Sequence, residues 1–165
     1  MRLSGITPES LVDGPGLRYV IFTQGCQHNC PNCHNQESWD IDSGKEFTVR
    51  QIISRIKRQK KKIQGITFSG GEPFLQSFEL AQVAISARQI GWDVVTYTGF
   101  TYEQLIADNN TDNITLLYAS DILIDGKYVD ELKNVSLPFR GSSNQRMIDI
   151  NETQKQGKIV LINTI

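Results

Sequence analysis

The chain has 165 residues, 39% of them hydrophobic and 21% charged, which suits one globular domain with a sizeable core and argues against disorder. Seventeen Lys and Arg against eighteen Asp and Glu leave a formal charge of -1, so the overall field gives no reason to expect nucleic acid or an anionic membrane as partner. Residues 1–16 carry no apolar leader and no apolar run reaches bilayer length, which makes the cytoplasm the expected setting.

No repeat, low-complexity tract or Pro/Gly/Ser linker interrupts the chain, so residues 1–165 read as one continuous domain. Residues 18–23 are β-branched and aromatic and lie between the turn signal Asp13-Gly14-Pro15-Gly16 and Gly25, which predicts a strand. A helix follows, with Thr48 as N-cap, Gln51 completing a capping box, Phe47 and Ile52 placed as a staple, and an end at Lys60 to Lys62. Residues 66–69 read as a short buried strand, and Ser77 is the expected cap of a second helix that stops at Gly91. Residues 93–97 form the third strand. Thr101 with Gln104, and Phe100 with Leu105, repeat the capping box and staple at a third helix. Residues 121–124 are a fourth strand, and 158–162 a candidate closing strand.

Alternating strands and helices predict an α/β fold with a parallel sheet and right-handed crossovers. A full eight-stranded barrel takes about 250 residues. The expected architecture is therefore a single-domain partial (β/α) barrel or an open parallel sheet.

The three cysteines, Cys26, Cys30 and Cys33, sit at i, i+4 and i+7 directly after the first strand. An odd set clustered this tightly is a poor disulfide framework and a good metal site in a reducing compartment. A structural zinc or an ordinary four-iron cluster wants four protein ligands, so three thiolates leave one iron open to bind a small molecule. A zinc site with His28 or His34 as fourth ligand is the plainer alternative. Ser69-Gly70-Gly71-Glu72-Pro73 ends the second strand, where two glycines admit a close ligand and Glu72 can accept from an ammonium; a tight turn is the plainer reading. Tyr97-Thr98-Gly99 and Asp125-Gly126-Lys127 end the third and fourth strands, so four polar or glycine-rich loops meet at the carboxyl edge where parallel α/β folds bind ligands. The basic run from Arg55 to Lys62 reads as a solvated helix face, with docking of an acidic electron carrier as the lesser reading.

The three-cysteine pattern after one strand and Gly-Gly-Glu-Pro after the next resemble the radical S-adenosylmethionine superfamily. Further segments narrow this: Val12 to Arg18, Gly25 to Asn35, Ser38-Trp39, Tyr97 to Tyr102, Ile124 to Lys127 and Phe139 to Arg146 resemble the activating-protein family of the anaerobic ribonucleoside-triphosphate reductase. The resemblance implies a [4Fe-4S] cluster on Cys26, Cys30 and Cys33 that cleaves S-adenosyl-L-methionine reductively, with the 5′-deoxyadenosyl radical taking hydrogen from a glycine of the reductase. It implies that Asn32, Cys33 and His34 line the adenosyl moiety, that Gly70, Gly71 and Glu72 hold the methionine amino group, and that Asp125 and Lys127 add contacts. It also implies two partners, the reductase catalytic subunit and an electron donor such as flavodoxin. Many superfamily members carry an aromatic before the third cysteine, where this chain has Asn32. Rival readings are an activase for another glycyl radical enzyme, a small-molecule radical enzyme, and a non-catalytic metal-binding or electron-transfer module.

Overall fold

The chain begins at one side of its sheet and works across it. In the computed structural model, which describes residues 1–59 and 62–163, strand β1 (Arg2–Ser10) turns back antiparallel onto β2 (Arg18–Thr23), and the short β3 (Lys45–Glu46) pairs with the outer side of β1. Three helical crossovers follow. α1 (Val49–Ile56) leads to β4 (Gly65–Gly70), α2 (Ser77–Gln89) to β5 (Asp93–Tyr97), and α3 (Tyr102–Ala107) with α4 (Thr111–Ala119) to β6 (Ile122–Asp125). β2, β4, β5 and β6 are parallel; β7 (Arg146–Asp149) returns antiparallel on β6 and runs into α5 (Ile150–Gln156). Among the described residues the order is β3-β1-β2-β4-β5-β6-β7, an open and mostly parallel sheet. No helix in them is long and apolar enough to cross a membrane.

The pleat sorts the strand residues into two cores. Tyr19, Ile21, Ile66, Phe68, Val94 and Leu123 join the main core with Ile52, Ile56, Leu80, Leu105 and Leu116 of the helices. Each such side chain, fully buried, contributes about 1.5–3 kcal/mol. The alternate positions Val95, Ile124 and Met147 form a much smaller cluster with Phe139. One face of the sheet is thus filled by helices, while the other is covered by loops.

Both predicted capping boxes form: Gln51 N donates to Thr48 Oγ1 (3.2 Å) and Thr48 N to Gln51 Oε1 (2.8 Å), with the same distances at Thr101 and Gln104. Three expectations need correction. α1 ends at Ile56, because Arg58 N and Gln59 N bond carbonyls only three residues back (both 3.1 Å) and tighten the last turn; of the predicted end, Lys60 and Lys61 lie outside the described residues. Ser77 is the first residue of α2, not its cap, since a 3₁₀ turn over Pro73–Gln76 runs into the helix. The closing strand is Arg146–Asp149, and the 158–162 segment contributes an isolated bridge from Leu161 to Ile148.

Candidate active site

Because β2, β4, β5 and β6 are parallel, the loops that leave their carboxyl ends meet at one edge. The cysteine loop follows β2 and is pinned by main-chain bonds: Gly25 N to Ser38 O (2.7 Å), Cys26 N to Trp39 O (3.1 Å) and Glu72 N to Gly25 O (2.8 Å). Asn29 and Asn32 take left-handed φ values of 49° and 54°, a conformation asparagine tolerates well. Asn32 Nδ2 donates to Asp130 (2.7 Å), which also accepts from the Tyr128 hydroxyl (2.6 Å), so the loop is clasped by the segment after β6.

Cys26, Cys30 and Cys33 are free, half-buried, and line one cavity of about 130 Å³ together with Gly70, Gly71 and Gly99. Burial pushes the Cys26 and Cys30 thiols up, and the neighbouring Cys33 raises Cys30 further, while Lys127 works in the opposite direction. Thiols crowded in this way ionise together most readily around a cation that their charges can share.

The glycine pair at the end of β4 is required by packing. Gly70 has φ +95°, and a Cβ there would lie 2.6 Å from Thr23 N; a Cβ on Gly71 would lie 2.3 Å from Gly25 O. Glu72 is fully buried, and its carboxylate is already engaged. It accepts from His28 Nε2 (2.6 Å), Thr98 Oγ1 (2.9 Å), Gly99 N (2.9 Å) and Phe74 N (3.0 Å). This network ties the cysteine loop, the turn after β4 and the loop after β5 into one unit. The sequence offers His28 as an alternative zinc ligand and Thr98 as part of a polar strand end, and neither as a partner of Glu72.

Asp125 is likewise buried and engaged, accepting from Arg146 Nε (2.9 Å) and Nη2 (2.5 Å) and from Tyr102 N (2.8 Å). Asn144 Nδ2 donates to Lys127 O (2.8 Å) and Gln145 Nε2 to Gly126 O (3.0 Å). Three consecutive residues, Asn144, Gln145 and Arg146, therefore clamp three consecutive residues of the turn after β6. The Lys127 side chain is exposed.

A second cavity, about 420 Å³, adjoins the first and shares Cys33, Asn35, Ser69, Tyr97, Tyr128 and Gln145 with it; its other walls include Asp13, His34, Phe139 and Arg140. A larger one of about 800 Å³ lies between the start of α2 and the α3–α4 pair, and no cysteine lines it. His28 is stacked edge-on against Phe100 (4.6 Å) as well as bonded to Glu72, and His34 packs on Tyr128 (5.4 Å). Among the described residues no three His, Cys, Asp or Glu side chains are drawn together closely enough to share a single ion.

Residues 12–148 match the family model of a 4Fe-4S single cluster domain. Relatives over nearly the same span are the anaerobic ribonucleoside-triphosphate reductase-activating proteins of Escherichia coli K12 (38% identical, covering 84% of this chain and 92% of that one) and of Enterobacteria phage T4 (35% identical, 89% and 93%). The chain belongs to the family of anaerobic ribonucleoside-triphosphate reductase-activating proteins. Its domain is that of an iron-sulfur protein, and the donor set fits: three free thiols on one loop, opening on a cavity walled partly by glycine main chain. Among solved structures, QueE from Escherichia coli is similar at a TM-score of 0.47 and 18% identity over 61% of this chain and 53% of that one, a likeness that decides nothing. Activating-protein family membership rests on the sequence relatives and the cluster-domain match alone.

Proposed function

We propose that this protein places a glycyl radical on an anaerobic ribonucleoside-triphosphate reductase by reductive cleavage of S-adenosylmethionine at a four-iron cluster. The observation that carries this reading is the meeting of three free cysteines, the Gly70–Gly71 turn and a second, larger cavity at one sheet edge. Cys26, Cys30 and Cys33 would hold the cluster, which leaves one iron without a protein thiolate. The chemistry supplied when cluster and cofactor are bound is one-electron reduction of the sulfonium, giving methionine and a 5′-deoxyadenosyl radical that takes hydrogen from a glycine.

The chain's own residues bind, orient and exclude water. The main chain of Gly70 and Gly71 would meet the methionine amino group, while Glu72, with both oxygens occupied by protein donors, holds that turn in place. Cys33 and His34 line the adenosyl side, and Asn32 steadies it through Asp130. Asp125 acts as a positioning residue through its bonds to Arg146 and Tyr102, and Lys127 offers an exposed charge beside Cys30. A one-electron donor such as flavodoxin would supply the electron.

The test is anaerobic cluster reconstitution followed by strong reductant and S-adenosylmethionine, comparing wild type with Cys30→Ala. Release of 5′-deoxyadenosine from wild type alone is expected. No product from a wild-type protein with a well-formed cluster would turn the reading to an electron carrier.

A further inference from the structure

Resting on that reading, we infer that the cavity of about 800 Å³ between the start of α2 and the α3–α4 pair is a docking groove for the reductase, which enters it with an apolar side chain flanked by Lys or Arg. The groove shares no lining residue with either cavity at the cysteines, so it is a second point of contact and not part of the radical site.

Charge is divided unevenly along the chain. From Ile63 to Gly126 there is one base, Arg88, against eight Asp and Glu, although the chain as a whole is close to neutral. Five of the eight acids are bound inside the fold: Glu72 to His28, Asp93 to Arg18, Asp121 to Arg88, and Glu103 and Asp125 to Arg146. The other three, Glu79, Asp108 and Asp112, all line the groove, and no Lys, Arg or His lines it with them among the described residues. Glu79 has only the Met1 amino group near it, at 3.8 Å, and Asp108 accepts from the neutral Asn113 Nδ2 (3.0 Å). The carboxylates that the fold leaves without a basic side chain are thus gathered round one groove, and their field favours a cationic surface in it.

The walls also select for an apolar anchor. Phe78 is 61% exposed and Leu75 40%, and both line the groove beside the buried Phe74 and Leu105. Apolar side chains open to solvent and ringed by charge are the composition of an interface, in which a few large side chains carry most of the affinity and the charged rim sets register and rate. A small cation would gain nothing from Phe78, and an acidic electron carrier would be repelled by the three carboxylates. Position decides for the reductase. Gln27, between Cys26 and His28, forms one end of the groove, and Phe100, another wall, packs edge-on against His28 (4.6 Å). A protein anchored here leans on the outer side of the cysteine loop while both cavities stay free for cofactor and glycine.

The experiment uses the reconstituted full chain and the reductase catalytic subunit, comparing wild type with Phe78→Ser, with the double variant Asp108→Lys, Asp112→Lys, and with Ile85→Ser, an exposed α2 position outside the groove. Three quantities are read: the Kd for the reductase by biolayer interferometry at two salt concentrations, the sedimentation of the activating protein alone, and 5′-deoxyadenosine release without reductase. The Kd is expected to rise at least about tenfold in Phe78→Ser and in the double Lys variant, which should also lose salt dependence, and to stay within about twofold in Ile85→Ser. Release of 5′-deoxyadenosine should stay within about twofold throughout, since the groove holds no cofactor contact. Asp108→Asn with Asp112→Asn keeps the side-chain shapes and carries the test if the Lys variant fails to fold. An unchanged Kd in the groove variants would overturn the inference, as would a wild-type dimer that they dissociate, which would assign the groove to a second copy of the chain. Absence of any glycyl radical on the reductase with wild type would instead sink the functional reading itself.

Discussion

Glu72 stands where a sequence reading expects a ligand contact, yet its two oxygens accept four bonds from the protein. Replacing it with Gln keeps the volume but turns one acceptor into a donor, so that a buried N–H of either Phe74 or Gly99 faces another N–H. Such a loss costs about 1–3 kcal/mol. In a chain of this size that corresponds to a fall in Tm of about 2–4 °C per kcal/mol. Glu72→Gln should therefore melt several degrees lower by calorimetry and retain less iron after reconstitution, since His28 lies in the cysteine loop. Unchanged stability with weakened S-adenosylmethionine binding would instead make Glu72 a ligand contact. The motif was legible as functional because glycines and an acid follow a strand. That the acid faces inward was not, because His28 and Thr98 reach it only across three strand ends.

The segment from Phe139 to Arg146 acquires a physical role at the level of the elements. Through Asn144, Gln145 and Arg146 it locks the turn after β6, and Arg146 also bonds Glu103 of α3 by both Nη atoms (3.0 and 2.7 Å). Its two acidic partners differ in burial: the Asp125 side chain is 1% exposed and that of Glu103 is 58%. Breaking a buried pair costs about 3–5 kcal/mol, whereas an exposed pair contributes about 0–1 kcal/mol after solvent screening. Asp125→Asn should shift the urea midpoint strongly and Glu103→Gln slightly; the reverse order would remove Arg146 from the framework. Hydrogen bonding to Arg146 holds the Glu103 carboxyl down at about 2 from an ordinary 4.5, so its small contribution is present above pH 4.5 and is lost as pH falls towards 2. Stability of Glu103→Gln should accordingly change less than that of wild type over this window. Helices with capping boxes and the central strands were legible because their signals are local. β1 was not, since Gly5 and Pro8 break its pattern and its pairing with β2 is bulged; β7 was not, since Arg146–Asp149 holds one β-branched residue where the equally short β6 holds two.

Taken whole, the molecule has two unlike edges. The cysteines and both adjoining cavities lie at the carboxyl edge of the parallel strands, whereas Arg55, Lys57 and Arg58 close α1 just before β4 begins at the amino edge. β4 spans six residues, so the two edges are roughly 20 Å apart at a rise of about 3.3 Å per residue. The basic run is also partly engaged: Arg55 stacks over Phe47 (5.1 Å), Arg58 Nε donates to Ser54 O (3.0 Å), and Lys62 pairs with Glu9 (3.2 Å). A carrier docked there would sit far from the cluster it must reduce, while Lys127 puts an exposed positive charge beside Cys30. Charge steering acts on association rate and fades with salt. Bleaching of cluster absorbance by an acidic one-electron carrier, followed at low ionic strength without S-adenosylmethionine, should therefore slow about tenfold in Lys127→Glu and stay within about twofold in the double variant Lys57→Glu, Arg58→Glu. The opposite ranking would place electron entry at the amino edge, the length of β4 away from the cysteines.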